Sequence, residues 1–250
     1  MAPTTIQIAK IPKKVSRGLQ SPDFFAEQPV IGIMLFLLFS LIFGVLAYYV
    51  QQKGALVQWD LAMENRMHEM ALNSSPWIKN IMLAGYYIGM QGYMAIGFFL
   101  ALYFVLKKFW KEFFMVVILY AGQSILFCFL TKYFARPRPV FTEQIGAIIK
   151  YPSFPSGHMM SSVICFGLIA YFFVPKISSQ FWKATMIIFS VLMVLFIGYS
   201  RFFMGAHYLT DIAAGLAVGV AWTSLVIMLT ELSNIKGGHK HVKEKENYSC

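Results

Sequence analysis

A short stretch near residue 200 carries the side-chain types of a phosphate-handling site. It begins with Ser200-Arg201 and ends with His207 and Asp211. Because His207 and Asp211 are four residues apart, a helix would place their side chains on one face with Cβ atoms roughly 6 Å apart. A carboxylate beside an imidazole can hold one ring nitrogen and leave the other free to attack or to take a proton. The planar guanidinium of Arg201 suits a phosphate or a carboxylate.

A second polar segment, Pro155-Ser156-Gly157-His158, comes directly before an apolar run. Serine is a good N-cap, and the amino end of a helix presents free N–H groups and a partial positive charge. Gly157 would let the backbone approach an oxyanion, and His158 would lie in the first turn. A capped helix with an interfacial histidine explains the segment equally well when it is taken alone. A second histidine, His207, on the same side of a membrane favours a functional site.

A third segment, 132–139, carries Lys132, Arg136 and Arg138 together with two prolines. Prolines on both sides of Arg138 stiffen its backbone, which suits a fixed anion clamp. Basic residues beside a membrane span also bind lipid headgroups, and for Arg136 both interpretations stay open. The dense positive charge around these segments disfavours a divalent cation, so we expect neither a metal nor another cofactor.

The composition is that of an integral membrane protein. Hydrophobic residues make up 58% of the 250 residues and charged residues only 13%, against about 25% charged in soluble domains. Apolar runs of spanning length predict an all-α bundle of six transmembrane helices. The predicted spans are 30–50, 81–106, 113–131, 159–174, 184–200 and 212–230.

The remaining segments complete the predicted domain organisation. We expect a basic arm at 1–29, a six-helix membrane domain at 30–230 and a disordered basic tail at 231–250. Within 51–80, apolar residues such as Leu56, Trp59 and Met63 repeat at helical spacing and predict an amphipathic helix lying in the membrane interface, with His68 at its surface. Gly85 and Gly89 fit the pattern that allows close helix packing. A second row, at four-residue spacing, continues from Asp211 to Gly215 and Gly219.

The distribution of basic residues predicts the topology. The arm, two connections and the tail share one side of a six-span protein and hold 13 of the 21 Lys and Arg residues. The positive-inside rule therefore places both termini in the cytoplasm and the three polar segments on the outer face. The formal charge of +10 then reflects topology and not nucleic-acid binding, since no polar domain exists to carry a nucleic-acid surface.

Together the three segments resemble the type 2 phosphatidic acid phosphatase superfamily, which includes vanadium haloperoxidases and glucose-6-phosphatase. The family pattern is a lysine, six residues and Arg-Pro, then Pro-Ser-Gly-His, then Ser-Arg, five residues, His, three residues and Asp. The second and third blocks are complete here. The first departs, because five residues separate Lys132 from Arg138 and Thr131 stands at the family spacing. The long lysine side chain is expected to absorb this shift.

The resemblance implies a role for each residue. His207 would attack phosphorus and form a phosphohistidine, and Asp211 would hold its other ring nitrogen. His158 would protonate the leaving alkoxide and later help to activate water. The charge on the equatorial oxygens would be spread over Lys132, Arg138, Ser156, Gly157 and Arg201.

The expected function is hydrolysis of a lipid phosphomonoester or diphosphate at the outer face of a bacterial inner membrane. Phosphatidic acid, phosphatidylglycerol phosphate, undecaprenyl diphosphate and lipid A all fit, and the sequence leaves the lipid and the oligomeric state open. Two alternatives remain. One is a lipid phosphotransferase with the same site, and the other is a transporter or a non-catalytic lipid-binding protein, because intramembrane charges also mark transport paths.

Overall fold

The computed structural model describes Leu19, Pro22, residues 24–140 and residues 151–247, and all regular secondary structure in these residues is helical. The basic residues of the predicted arm, from Lys10 to Arg17, lie outside the described residues. In chain order the helices are α1 (Phe24–Glu27), α2 (Pro29–Gln51), α3 (Ala55–Leu72), α4 (Pro76–Tyr87), a π-helical turn (Ile88–Gly92), α5 (Tyr93–Leu106), α6 (Trp110–Phe134), α7 (Gly157–Phe173), a 3-10 turn (Val174–Lys176), α8 (Gln180–Phe203) and α9 (Leu209–Asn247).

Six helical segments of the described chain are long and apolar enough to cross a membrane, which confirms the six predicted spans. They are Pro29–Gln51, Pro76–Leu106, Trp110–Phe134, Gly157–Lys176, Gln180–Phe203 and Leu209–Ser233. Most begin and end a few residues outside the predicted boundaries, because the helices continue through polar residues at the membrane edge. The backbone of α9 continues further, to Asn247, through residues for which the sequence predicts disorder. Lysine and glutamate, which are common there, are good helix formers.

Helices α7 and α9 form the centre of the bundle. Helix α9 packs against α2, α6 and α7, and α7 also packs against α8. The other spans turn large apolar side chains outward, among them Leu41, Phe98 and Ile125, each more than 60% exposed. This pattern of a buried centre and an apolar surface is that of a bundle surrounded by lipid.

Helix α3 is the amphipathic helix predicted within 51–80, but its inward face carries acidic side chains that the sequence did not predict there. The side chains it turns inward are Asp60, Glu64 and Met67, whereas Trp59 of the apolar repeat is 46% exposed. Two carboxyl groups are therefore placed against the bundle.

Glycines allow close helix contacts at the positions that their spacing predicts. A Cβ atom at Gly85 would lie 2.6 Å from Ser200 Oγ, and one at Gly89 would lie 2.9 Å from Ile197 Cγ2, so α4 and the π-helical turn pack directly on α8. A Cβ atom at Gly215 would lie 2.5 Å from the Ser156 carbonyl oxygen. The row on α9 thus fixes the distance between α9 and the amino end of α7.

We expect Gly215→Ala to lower the thermal unfolding temperature of the purified protein. The added methyl group meets a backbone oxygen, which cannot rotate away, and overpacking of this kind costs about 1–3 kcal/mol. Gly44→Ala is the matched control, because a Cβ atom at Gly44 meets nothing within 4 Å. An unchanged unfolding temperature for Gly215→Ala would show that α7 and α9 can separate freely.

Candidate active site

One end of the bundle holds a cavity of about 840 Å³ that gathers most of the predicted site residues. Five of the eight line it, and they come from four different parts of the chain. They are Arg138 after α6, Gly157 and His158 at the start of α7, Arg201 at the end of α8, and His207 before α9. Asp211 and Ser156 are fully buried beside them.

Local backbone geometry brings these segments together. Helix α6 is capped by Ala135, whose φ of 45° is left-handed, and the chain continues without helix to Arg138. The turn between α8 and α9 contains Gly205 at φ 61°, a conformation that glycine adopts at little cost. The Ser156 N–H donates to the Asp211 carbonyl at 2.9 Å, which ties the start of α7 to the first turn of α9.

The imidazole of His207 is held by a backbone carbonyl. Its Nδ1 lies 2.8 Å from the Ser153 oxygen and 3.6 Å from Asp211 Oδ2. Since a carbonyl can only accept, Nδ1 carries the proton and Nε2 keeps its lone pair. Nε2 lies 3.3 Å from Arg138 Nη1. The prediction that Asp211 accepts the ring proton is therefore replaced by a hydrogen bond to Ser153, with Asp211 as a nearby charge.

The surroundings of His207 keep its ring neutral. Burial lowers the pKa of His207 well below its usual value, and the positive charges of Arg138 and Arg201 lower it further. Burial also lowers the pKa of Arg138 to about 10, so its guanidinium stays charged at neutral pH. An unprotonated nitrogen thus faces fixed positive charge, which is the arrangement that a nucleophile for an anionic substrate requires.

Three polar atoms of the predicted residues are buried without a hydrogen-bond partner in the described part of the chain. They are Ser156 Oγ, His158 Nε2 and Arg201 Nε. Ser156 occupies the N-cap position of α7, but its side chain makes no capping bond. Leaving a buried polar group unpaired costs about 1–3 kcal/mol, so such groups mark places where a ligand completes the bonding.

Other contacts orient the cationic and imidazole groups. Arg138 donates to the carbonyls of Tyr151, at 2.7 Å, and of Ala206, at 2.6 Å. Tyr86 was missed by the sequence analysis. The centre of its ring lies 4.9 Å from the Arg201 guanidinium carbon and 5.1 Å from the centre of the His158 ring. The π-helical turn beside them is a feature common at functional sites.

Lys132 is not brought to the cavity. Its side chain is exposed, and it does not line the cavity. The neighbouring Thr131 is fully buried and donates to the Phe127 carbonyl at 2.7 Å. A shift of one residue along a helix of 3.6 residues per turn rotates the direction of the side chain by about 100°. The structure therefore leaves Lys132 outside the cavity, and a threonine stands where the family pattern has the lysine.

Arg136 fits neither of its two open interpretations. It is buried, donating to Asp211 Oδ1 at 2.6 Å, to Asp60 Oδ2 at 2.8 Å and to Thr210 Oγ1 at 2.7 Å. Its guanidinium also lies 4.2 Å from the centre of the Tyr208 ring. It therefore links α3 to α9 directly behind the nucleophile.

The acidic residues of α3 were missed by the sequence analysis. Asp60 accepts from the Thr210 N–H at 3.2 Å, and also from the Thr210 hydroxyl. Both carboxyl oxygens of Glu64 are buried without a partner among the described residues. Burial, with the charges of Asp211 and Asp60, raises the pKa of Glu64 to about 8. The only signal in the sequence was two acids at helical spacing in a chain with 11 acidic residues.

No three His, Cys, Asp or Glu side chains are grouped as metal ligands among the described side chains up to residue 233. Asp60 and Asp211 are instead bonded by Arg136, by Thr210 and by the backbone N–H of Tyr208, which donates to Asp211 Oδ2 at 3.0 Å.

Comparison with known proteins gives a consistent picture. The sequence model of the PAP2 superfamily matches residues 94–234. Phosphatidylglycerophosphatase B of Bacillus subtilis (strain 168) is 30% identical over 155 residues, which are 60% of this chain and 74% of that protein. A crystal structure described as the first transmembrane PAP2 type phosphatidylglycerolphosphate phosphatase from Bacillus subtilis is similar with a TM-score of 0.66 and 26% identity. The similarity covers 77% of this chain and 94% of that one.

We expect Asp60→Asn to lower kcat at least tenfold, because Arg136 loses a charged partner and Asp211 shifts with it. Removing one member of a buried ion pair costs about 3–5 kcal/mol, so the unfolding temperature is measured alongside the kinetics. Glu69→Gln, an exposed acid on the same helix, is the matched control. Wild-type kcat in a folded Asp60→Asn protein would show that α3 does not position the nucleophile.

Arg201→Ala is expected to reduce kcat/KM by a factor of about 100 or more, since removing a single preorganised donor typically costs about 2.7–4 kcal/mol. Lys132→Ala is expected to change kcat/KM by less than about threefold, because an exposed charge is screened by solvent. Steady-state kinetics of both variants tests this difference. Similar losses in the two would mean that Lys132 reaches the phosphate after all.

Proposed function

We propose that this chain, which belongs to the PAP2 superfamily, is a membrane lipid phosphatase that works through a phosphohistidine at His207. The observation that carries the proposal is the set of three buried polar atoms, on Ser156, His158 and Arg201, that have no partner among the described residues. His158 and Arg201 line the same cavity as His207. A phosphoryl group offers three equatorial oxygens and can accept hydrogen bonds from several donors at once.

The first chemical step follows from the protonation of His207. The Nε2 lone pair forms a bond to phosphorus while the bond from phosphorus to the leaving oxygen breaks. Arg138 and Arg201 stabilise the negative charge on the equatorial oxygens. His158 gives a proton to the leaving alkoxide, which departs as the lipid alcohol. The phosphorylated ring carries positive charge, and the carboxylate of Asp211, 3.6 Å from Nδ1, stabilises it.

The second step restores the enzyme. A water molecule attacks phosphorus, the bond from phosphorus to Nε2 breaks, and inorganic phosphate leaves. His158 takes the proton that the water gives up and so regains the proton it lost in the first step. Since Arg138 and Arg201 supply the positive charge, these steps need no metal ion.

The shape of the cavity supports a substrate that enters from the bilayer. Met90 and Met94 line it, and they are 45% and 61% exposed within the span Pro76–Leu106. An opening bounded by exposed apolar side chains at that depth faces lipid. A phosphate group at the membrane surface can then reach His207 while its chains remain in the hydrocarbon.

We place the active-site end of the bundle at the outer face of a bacterial inner membrane, with both termini in the cytoplasm. The asymmetry of Lys and Arg along the chain supports this orientation. The substrate classes considered are phosphatidic acid, phosphatidylglycerol phosphate, undecaprenyl diphosphate and lipid A.

The test is phosphate release by the purified protein from these four lipids in detergent, with water as the sole acceptor. We expect release from at least one lipid, and we expect His207→Ala to abolish it without changing the unfolding temperature. Brief reaction with a ³²P-labelled substrate, followed by alkaline quenching, should trap a labelled, acid-labile adduct on the wild-type protein only.

His68→Ala serves as the control, because this histidine of α3 does not line the cavity. Turnover by a folded His207→Ala protein would exclude the proposed nucleophile. Phosphate release that requires a second added lipid would indicate a phosphotransferase instead.

A further inference from the structure

The cavity has a polar group below its charged end that the proposed chemistry does not use. Gln123 of α6 lines the cavity and is only 5% exposed. Its Oε1 accepts a hydrogen bond from the Tyr93 hydroxyl at 2.9 Å. With Oε1 toward the Tyr93 hydroxyl, the Nε2 donor is left to bind a ligand. No acceptor for Nε2 is present among the described residues.

Helix geometry sets the depth of this amide. Phe127 lies beside Gly157, since a Cβ atom there would meet its ring at 2.7 Å. Gln123 is one turn deeper on α6, which is about 6 Å along the helix axis. Tyr93 likewise lies four residues beyond Gly89, which packs against His158. The amide is therefore about one helical turn below the level at which the phosphate is expected.

The neighbouring hydroxyl groups already have acceptors for their protons. Tyr120 donates to the Tyr93 carbonyl at 3.0 Å, Ser124 to the Tyr120 carbonyl at 3.0 Å, and Ser161 to the Gly157 carbonyl at 2.9 Å. The charged side chains lining the cavity, Arg138 and Arg201, belong to the phosphate end. At the level of Gln123 the cavity therefore offers a neutral donor and no cation.

We propose that the Gln123 amide donates to an ester carbonyl of a glycerolipid monophosphate and so selects this class of substrate. The inference rests on the proposed phosphatase function. In such a lipid the ester carbonyls follow the phosphate after a few bonds, at a depth that matches the amide. A polyprenyl chain presents only hydrocarbon at that depth, which leaves a buried donor unpaired. A second phosphate would meet no cation there.

The decisive comparison uses two lipids that differ only in their carbonyl groups. They are 1,2-dioleoyl phosphatidic acid and its 1,2-di-O-oleyl ether analogue, each at the same mole fraction in detergent micelles. We expect wild-type kcat/KM to favour the ester by about five- to tenfold, the ratio that corresponds to one net hydrogen bond of about 1 kcal/mol or slightly more. Undecaprenyl phosphate, as a third substrate, is expected to resemble the ether lipid.

The test variant is Gln123→Leu combined with Tyr93→Phe, which removes the amide and also the hydroxyl that would otherwise lose its acceptor. We expect the ester preference to fall below twofold while kcat/KM on the ether lipid stays within twofold of wild type. Ser124→Ala, which removes a cavity hydroxyl already paired within α6, should keep the full preference.

Each outcome decides the proposal. Equal wild-type rates on ester and ether lipids, or an ester preference that survives in the double variant, would overturn the role of Gln123 alone. The wild-type comparison stands even if the double variant fails to fold. Absence of phosphate release from every lipid would overturn the proposed function, and this inference with it.

Discussion

The buried guanidinium of Arg136 is the interaction on which the rest of the site depends. It bonds two carboxylates, Asp60 and Asp211, that lie in segments far apart in the chain. Removing such charges from water costs several kcal/mol for each ion, and only good geometry with additional hydrogen bonds offsets that cost. Thr210 supplies one of these bonds. Helix α3, the loop after α6 and the first turn of α9 are thereby held together at one point.

The ion pairs of Arg136 with Asp60 and Asp211 explain how charge is arranged around the nucleophile. Arg138 and Arg201 lie on the cavity side of His207, while Asp211, Asp60 and Glu64 lie behind it with Arg136. Burial, and then the positive charge in front, lower the pKa of His207 and keep its ring neutral before reaction. Negative charge behind becomes important once phosphorylation gives the ring a positive charge. Because the Ser153 carbonyl holds the Nδ1 proton, Asp211 is free to bond Arg136 and the Tyr208 N–H.

Much of this arrangement could be predicted from sequence, and the failures have physical causes. Six spans follow from hydrophobic runs, because the cost of exposing polar backbone to lipid leaves few alternatives. The partner of His207 could not be predicted, since every residue has a carbonyl and only the folded chain shows which one is near. Lys132 was misplaced because a single residue turns a side chain by about 100° on a helix. Asp60 was missed because the apolar repeat of α3 gives no sign that acids share its inward face.

The polarity of the cavity lining falls with depth, because burying a charged group costs more than burying a neutral one. Full charges are confined to the end of the bundle, where Arg138 and Arg201 have carbonyl and aromatic partners. One helical turn deeper, a neutral amide is the strongest free donor, and a neutral group costs far less to bury than an ion. Met90 and Met94 add an apolar side to the lining beside these groups. A glycerolipid phosphate has the same order of groups along its length, from a charged phosphate through ester carbonyls to hydrocarbon. The decrease in polarity that lets the protein bury these groups in a membrane would thus also align its substrate.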